Sequence, residues 1–253
     1  MTRLGWILAI LWFVVPAQAE DVVLGLSKDS VAITANFDGS DILVFGAVKR
    51  ETAIPKTPLQ VIVTISGPYK PIVVRRKAKR FGIWINTESA KIEAAPSFYA
   101  VATSAPWGDV ITKSQDEAHQ VSVTRAIEAH QTAPQNADQE RFTQAVIRIR
   151  TDENLYQILE NKVSIDQQTL FRASIEMPAN LTEGSYDTRI LLTREGKVIS
   201  TFNTEIEVRK VGLERFLFNL SREQPLIYGL LSLAIAIFAG WGASGLFNAL
   251  RRS

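Results

Sequence analysis

The chain has 253 residues, no cysteine, and 28 basic against 26 acidic side chains. That near balance removes the strong positive field of a nucleic-acid binder. The missing thiols remove disulfide scaffolds, cysteine-bound metals and thiol nucleophiles. What is left must fold around an ordinary apolar core, for which the length suffices.

At the N-terminus Arg3 precedes an uncharged run, Leu4 to Val15, followed by Pro16 and Ala17-Gln18-Ala19. This order predicts a secretory signal peptide over residues 1–19, because the run falls short of the roughly 20 residues a helix needs to cross hydrocarbon. Everything after it is then exported until a second apolar segment stops transfer.

Residues 20–108 predict a β-rich exported lobe. Candidate strands are Val22–Leu26, Val31–Ala35, Ile42–Val48, Leu59–Ile65, Ile72–Arg76, Phe81–Ile85 and Phe98–Ala102. Asp38-Gly39-Ser40, Ile54-Pro55, Ser66-Gly67-Pro68 and Ala95-Pro96 supply the turn residues between them. The alternation of Gln60, Ile62, Thr64 with Val61, Val63, Ile65 predicts a strand with one face more buried than the other. Strands this frequent without helices between them point to an antiparallel sandwich of immunoglobulin type.

Within this lobe Lys70, Arg75, Arg76, Lys77, Lys79 and Arg80 crowd together, and no acidic residue occurs from Thr52 to Thr87. Ile72-Val73-Val74 precede the cluster and Phe81, Ile83, Trp84 and Ile85 follow it. The pattern predicts a basic hairpin tip whose strands anchor in the core. Such a tip suits anionic lipid headgroups, an acidic partner loop or an oxyanion; a solvated basic edge that resists pairing is the plain alternative.

Residues 109–161 predict a helical insertion. Phe142, Ala145, Val146 and Ile149 form an apolar stripe that Tyr156 and Leu159 extend, and Asn136-Ala137-Asp138 marks a break between helices. A second β lobe follows over 162–210, with strands at Thr169–Met177, Tyr186–Thr193 and Val198–Val208 and a hairpin turn at Glu195-Gly196-Lys197. Met177-Pro178 and Glu183-Gly184-Ser185-Tyr186 are similar to the loop and tyrosine before a late strand of immunoglobulin-like modules. The two lobes either stand apart or share one sandwich.

Val211, Leu213, Phe216, Leu217 and Leu220 give residues 211–224 an amphipathic helical pattern that suits the headgroup region. Leu226 to Phe247 carries no charge and predicts a transmembrane helix over 225–248. Arg251 and Arg252 close it, in a cytoplasmic tail of residues 249–253. Along this helix Ser232, Ala236, Gly240 and Ser244 form an oblique stripe of small side chains, the kind that lets helices approach closely in lipid.

Signals for chemistry are thin. His119 and His130 are eleven positions apart, about three turns on one helix, too far to share a metal. Gly-x-Ser-x-Gly, Gly-x-Gly-x-x-Gly and Gly-Lys-Ser/Thr do not occur. No catalytic, cofactor-binding or metal-ligating residue is therefore predicted, and the chain reads as a non-enzyme.

Several segments carry a family likeness. They are Gly25-Leu26-Ser27, Ile33 to Ser40 leading to Val44-Phe45-Gly46-Ala47, Gly82 to Asn86, Leu170-Phe171-Arg172-Ala173 and Leu226-Ile227-Tyr228-Gly229. In order and spacing they resemble the uncharacterised alphaproteobacterial transmembrane protein family of Alph_Pro_TM type. The signal peptide and the single late span predict a single-pass inner-membrane protein with its N-terminal domain in the periplasm and its C-terminus in the cytoplasm. The resemblance adds what the protein associates with: it implies an integral membrane partner, a sulfite-exporter-type permease among the options, with self-association open. The resulting expectation is a non-catalytic accessory or assembly subunit of an inner-membrane, transport-type complex. The alternative is an exported binding module for an anionic ligand or envelope polymer, with Trp84 and Trp107 as stacking surfaces.

Overall fold

A computed structural model describes residues 20–28, 30–34, 37–50, 54–131, 137–211 and 213–252, so the predicted signal peptide lies outside the described residues. The first half forms β1 (Glu20–Leu26), β2 (Ser30–Ile33), β3 (Ser40–Arg50), β4 (Gln60–Ser66), β5 (Tyr69–Arg80), β6 (Ile83–Pro96) and β7 (Tyr99–Thr103). Four helices follow: α1 (Trp107–Val110), α2 (Lys113–His119), α3 (Val123–Glu128) and α4 (Ala137–Asp152). Then come β8 (Tyr156–Leu159), β9 (Val163–Asp166), β10 (Leu170–Met177), β11 (Gly184–Arg194) and β12 (Lys197–Lys210), and finally α5 (Leu213–Glu223) and α6 (Pro225–Arg252).

Two sheets share the core. One has the order β1-β3-β10-β9, and the other β2-β12-β11-β4-β7-β8. β3 pairs with β10 and β4 with β11, so strands from residues 20–108 and 162–210 interleave in both sheets. The larger sheet is mixed, because β2–β12 and β7–β8 are parallel. This corrects the all-antiparallel expectation. The physical cause at β8 is the intervening helices, which carry the chain back to the start of β7 as a crossover, the connection parallel pairing requires.

β3 and β10 bury alternate residues, as a sheet with one solvated face must. β4 differs: Val61, Ile62, Val63, Thr64 and Ile65 are all fully buried, which corrects the one-sided expectation. Residues directly opposite in a ladder share a face. Tyr99 lies opposite Ser66, and Arg189 opposite Thr64. Both reach the helical layer, where the Tyr99 hydroxyl donates to Val121 O at 2.8 Å and Arg189 donates to His119 O and Gln120 O, each at 2.9 Å. The Ile62 face of β4 is therefore covered by helices and the Val61 face by the smaller sheet. The body has three layers, and β4 runs through the middle one.

The helical region departs from the expected stripe. Val146 is buried on α4, whereas Ile149 is 46% exposed. Tyr156 and Leu159 do not extend the helix, because Asn154 turns left-handed (φ 58) and the chain enters β8. His119 ends α2 and His130 follows α3, so the shared helix assumed for them does not form. Asn136, at the predicted break, is outside the described residues, and α4 opens at Ala137.

Two local features hold the second half in place. The Tyr186 hydroxyl, fully buried, donates to Thr182 O at 2.8 Å, the back-bond of a tyrosine corner. Glu195 and Gly196 both take positive φ (49 and 71), the two-residue turn that matches strand twist between β11 and β12. At the C-terminal end, β12 stops at Lys210 and α5 begins at Leu213, with Val211 N donating to Ile33 O at 3.0 Å. The window Pro225–Ser244 of α6 has a mean hydropathy of 1.9, and none of it is buried against the body. The fold is thus mainly β, with one C-terminal helix long and apolar enough to cross a membrane.

Candidate functional site

The basic cluster lies on a projecting arm. β4 continues through Gly67-Pro68 into β5, and β6 continues through Ser97-Phe98 into β7, so the four strands form one long hairpin with a bend. At the bend Gly67 N donates to Phe98 O at 2.8 Å and Ser97 N donates to Pro68 O at 2.9 Å. A Cβ at Gly67 would fall 2.6 Å from Ser97 Oγ and 2.8 Å from the Tyr186 ring, so the bend has room only for glycine.

The bend is clamped from the helical side. Arg150, near the end of α4, donates to Pro96 O at 3.0 Å and Ser97 O at 2.8 Å. The Tyr156 hydroxyl donates to the same Pro96 carbonyl at 2.8 Å, with the Arg150 guanidinium 5.5 Å above its ring centroid. Further out, Glu93 N donates to Gln131 Oε1 at 3.2 Å. Between the ribbon and α4 opens a cleft of about 870 Å³, lined by basic Arg75, Arg76, Lys77, Arg141 and Arg148 and by acidic Glu88, Asp138 and Glu140, with Val74 and Phe142 among its apolar residues.

The six predicted basic residues all lie on β5 and all are exposed. Arg75, Arg76, Lys77, Lys79 and Arg80 share the distal half. Lys70 is separated from them, opposite Ala95 at the base. Arg76 pairs with Glu88 across the ribbon at 3.4 Å. The apolar residues after the cluster do not anchor in the core as expected: Phe81 is fully exposed, Ile83 64% and Trp84 68% exposed, and Ile85 38%. Anchorage comes from Ile92 and Ala95, both fully buried, and from Ile72 and Val74, partly buried. The ribbon extends past the layer that could cover it, and its apex is the Phe81-Gly82 turn, with φ of 51 and 83.

Ser232, Ala236, Gly240 and Ser244 are exposed along α6. The Ser232 hydroxyl donates to Tyr228 O at 2.8 Å, and a Cβ at Gly240 would meet nothing within 4 Å. Among the described residues no part of the body covers this stripe.

Arm and anchor leave from one edge. β4 and β12 both run antiparallel to β11, so they are parallel to each other and end on the same side of the sheet. From that side β4 feeds the arm and β12 feeds α5 and α6. Sequence pattern alone could not reveal this, because it depends on which strands pair.

Other polar groups found only in the fold serve the scaffold. Asp116 is buried, and its carboxylate accepts from Val121 N at 3.1 Å and Ser122 N at 2.6 Å, joining α2 to α3. Tyr69 stacks on His130 with ring centroids 4.1 Å apart, beside a 420 Å³ hollow that also touches Asp187, Arg189 and Glu205. Burial pushes the Asp187 carboxyl up, Glu205 adds to the shift, and Arg189 opposes it. Among the described residues no group of three or more His, Cys, Asp or Glu is arranged to hold a metal ion.

A mainly β body with one uncovered apolar helix at its C-terminal end defines a membrane-anchored protein. The profile of the family described as "Putative transmembrane protein (Alph_Pro_TM)" matches residues 21–249, and the chain belongs to that family. No curated protein matches the chain.

Proposed function

We propose that the protein is a non-catalytic accessory or assembly subunit of an inner-membrane complex of the transport type. Its β body then sits in the periplasm and its C-terminus in the cytoplasm, after removal of the signal peptide. The observation that carries this reading is the direct passage from β12 into α5 and α6. So short a connection keeps the end of β12 close to the bilayer that α6 would cross. A short connection suits a subunit that presents a surface close to an integral partner, whereas a long flexible linker would let a binding module range further from the membrane. A sulfite-exporter-type permease is the partner the family resemblance favours, and the uncovered small-residue stripe on α6 suits a helix of such a partner. The Tyr186 corner supports an immunoglobulin-like reading of the sandwich.

Crosslinking in intact membranes, with purification in mild detergent, tests this reading. A second integral membrane protein should be captured and should copurify with the chain. Recovery of the chain alone under both conditions would refute it. The cleft between the ribbon and α4, where five basic residues face three acidic ones, supports a second reading, an exported module for an anionic ligand or envelope polymer. In that case the solubilised full chain binds an anionic polymer, and Arg75→Gln with Arg148→Gln abolishes the binding.

A further inference from the structure

We propose that the apex of the β5–β6 ribbon is a second membrane-contact site, which enters the interface of the anionic phospholipid bilayer that α6 crosses. The inference rests on the membrane anchor and is independent of any protein partner.

Three large apolar side chains, Phe81, Ile83 and Trp84, stand exposed at the apex. Exposed apolar clusters of this kind mark a contact surface, because solvation of bare rings is unfavourable. Their arrangement favours lipid over a protein groove. Arg80 lies directly opposite Ile83, and Lys79 directly opposite Trp84. Successive residues of a strand point to opposite faces, so each face of the ribbon tip carries one apolar residue beside one cation. A surface built to dock a protein gathers its apolar residues on one face. A tip apolar on both faces and at its apex suits entry end-on into a medium that surrounds it.

The chemistry fits the headgroup boundary. Aromatic rings settle at the membrane–water interface, and cations beside them meet phosphate. No acidic residue occurs from Thr52 to Thr87 to oppose that approach, and the next, Glu88, is paired with Arg76. The topology fits as well, since the arm leaves the sheet edge from which the chain passes to the anchor. With a rise of about 3.3 Å per residue, the strand from Tyr69 to Arg80 gives the arm a reach of about 40 Å.

The cysteine-free chain makes a direct test possible. Phe81→Cys and Ala78→Cys each introduce a single thiol for an environment-sensitive dye, and Ala78→Cys leaves all three apolar residues in place. The full chain is reconstituted into phosphatidylcholine vesicles with or without phosphatidylglycerol, carrying nitroxide-labelled lipid. The dye should shift to the blue and be quenched several-fold more in the anionic vesicles than in the zwitterionic ones. A dye at Ser164→Cys, exposed on β9, should remain unquenched. Changing Lys77, Lys79 and Arg80 to Gln should remove most of the quenching at low salt. Dyes at both tip positions that remain in water with anionic vesicles overturn the proposal. A blue shift without quenching by lipid also overturns it, and assigns the tip to a protein surface. Copurification of a partner is unaffected by any of these results.

Discussion

The ring of Phe45 lies across Gly25 in the β1–β3 pair, so close that a Cβ on Gly25 would sit 2.5 Å from Phe45 Cε2. On the opposite face of β3, Phe171 covers Gly46 in the same manner, and a Cβ there would be 2.6 Å from the ring and 2.9 Å from Val23 O. The two contacts differ in one respect. Phe45 is 43% exposed and can swing outward, whereas Phe171 is buried and the Val23 carbonyl is backbone. Gly46→Ala should therefore lower stability by about 2 kcal/mol, within the range for overpacked cores, while Gly25→Ala costs clearly less. Thermal unfolding of the two variants in the same detergent measures the difference.

Arg150 is the clamp on the arm. Arg150→Met keeps the length of the side chain but removes two charge-assisted bonds to the Pro96 and Ser97 carbonyls, worth about 1.5–3 kcal/mol each when a charged donor is lost. The Tyr156 hydroxyl still holds Pro96, so the fold should survive. Hydrogen exchange should accelerate through β6 and the start of β7 while protection in β3 and β10 stays unchanged.

Arg75, Arg76, Lys77, Lys79 and Arg80 changed together to Gln should leave the melting transition within about 0.5 kcal/mol of the original, because exposed charges contribute little to folding. Their effect should appear in association with anionic lipid or a partner, as a weakening largest at low salt. Equal binding by both proteins at low ionic strength would reduce the cluster to a solubility feature.

High pH should unfold the body through its tyrosines. Burial raises the hydroxyl pKa of Tyr99, Tyr156 and Tyr186, with Arg189 opposing at Tyr99 and Arg150 at Tyr156. A group raised on folding stabilises the native state fully below its unfolded value, about 10 for tyrosine, and that stability is lost as pH climbs from there through the folded value. Tyrosinate absorbance should rise together with the loss of circular dichroism above about pH 10, and Tyr99→Phe should move that transition upward.

Topology has its own test. A reporter fused after Ser253 should be active only in the cytoplasm, and one inserted among residues 132–136 only outside it. Cytoplasmic activity of the internal fusion would remove the basis for export.

Much of the fold was legible because β-strands announce themselves by period. Val22–Leu26, Ile42–Val48 and Val198–Val208 fall inside observed strands, Thr169–Met177 overshoots β10 only by Thr169, and the Glu195-Gly196 turn sits where a two-residue hairpin needs positive φ. The uncharged run from Leu226 is equally plain, since length and apolarity alone define it. Burial was less legible. The two-sided burial of β4 depends on helices that reach it from later in the chain, and Tyr156 and Leu159 continue a helical period although Asn154 has already ended the helix. For the arm, the basic residues were readable as a cluster. The ends of its strands were not, because Phe81, Ile83 and Trp84 look like core until it is known that none of the described residues covers them.

The interleaving of early and late strands also sets an order in time. Phe45 waits for Arg172, and Val63 waits for Ile190, so neither sheet can close while the chain is still emerging. The last requirement is β12, which lies inside the larger sheet between β2 and β11 and directly precedes the anchor. Such long-range pairing is slow, and its early strands stay open to wrong partners until the late ones arrive. The body therefore completes itself only when synthesis has reached the threshold of its own membrane helix, and tethering and folding become one event.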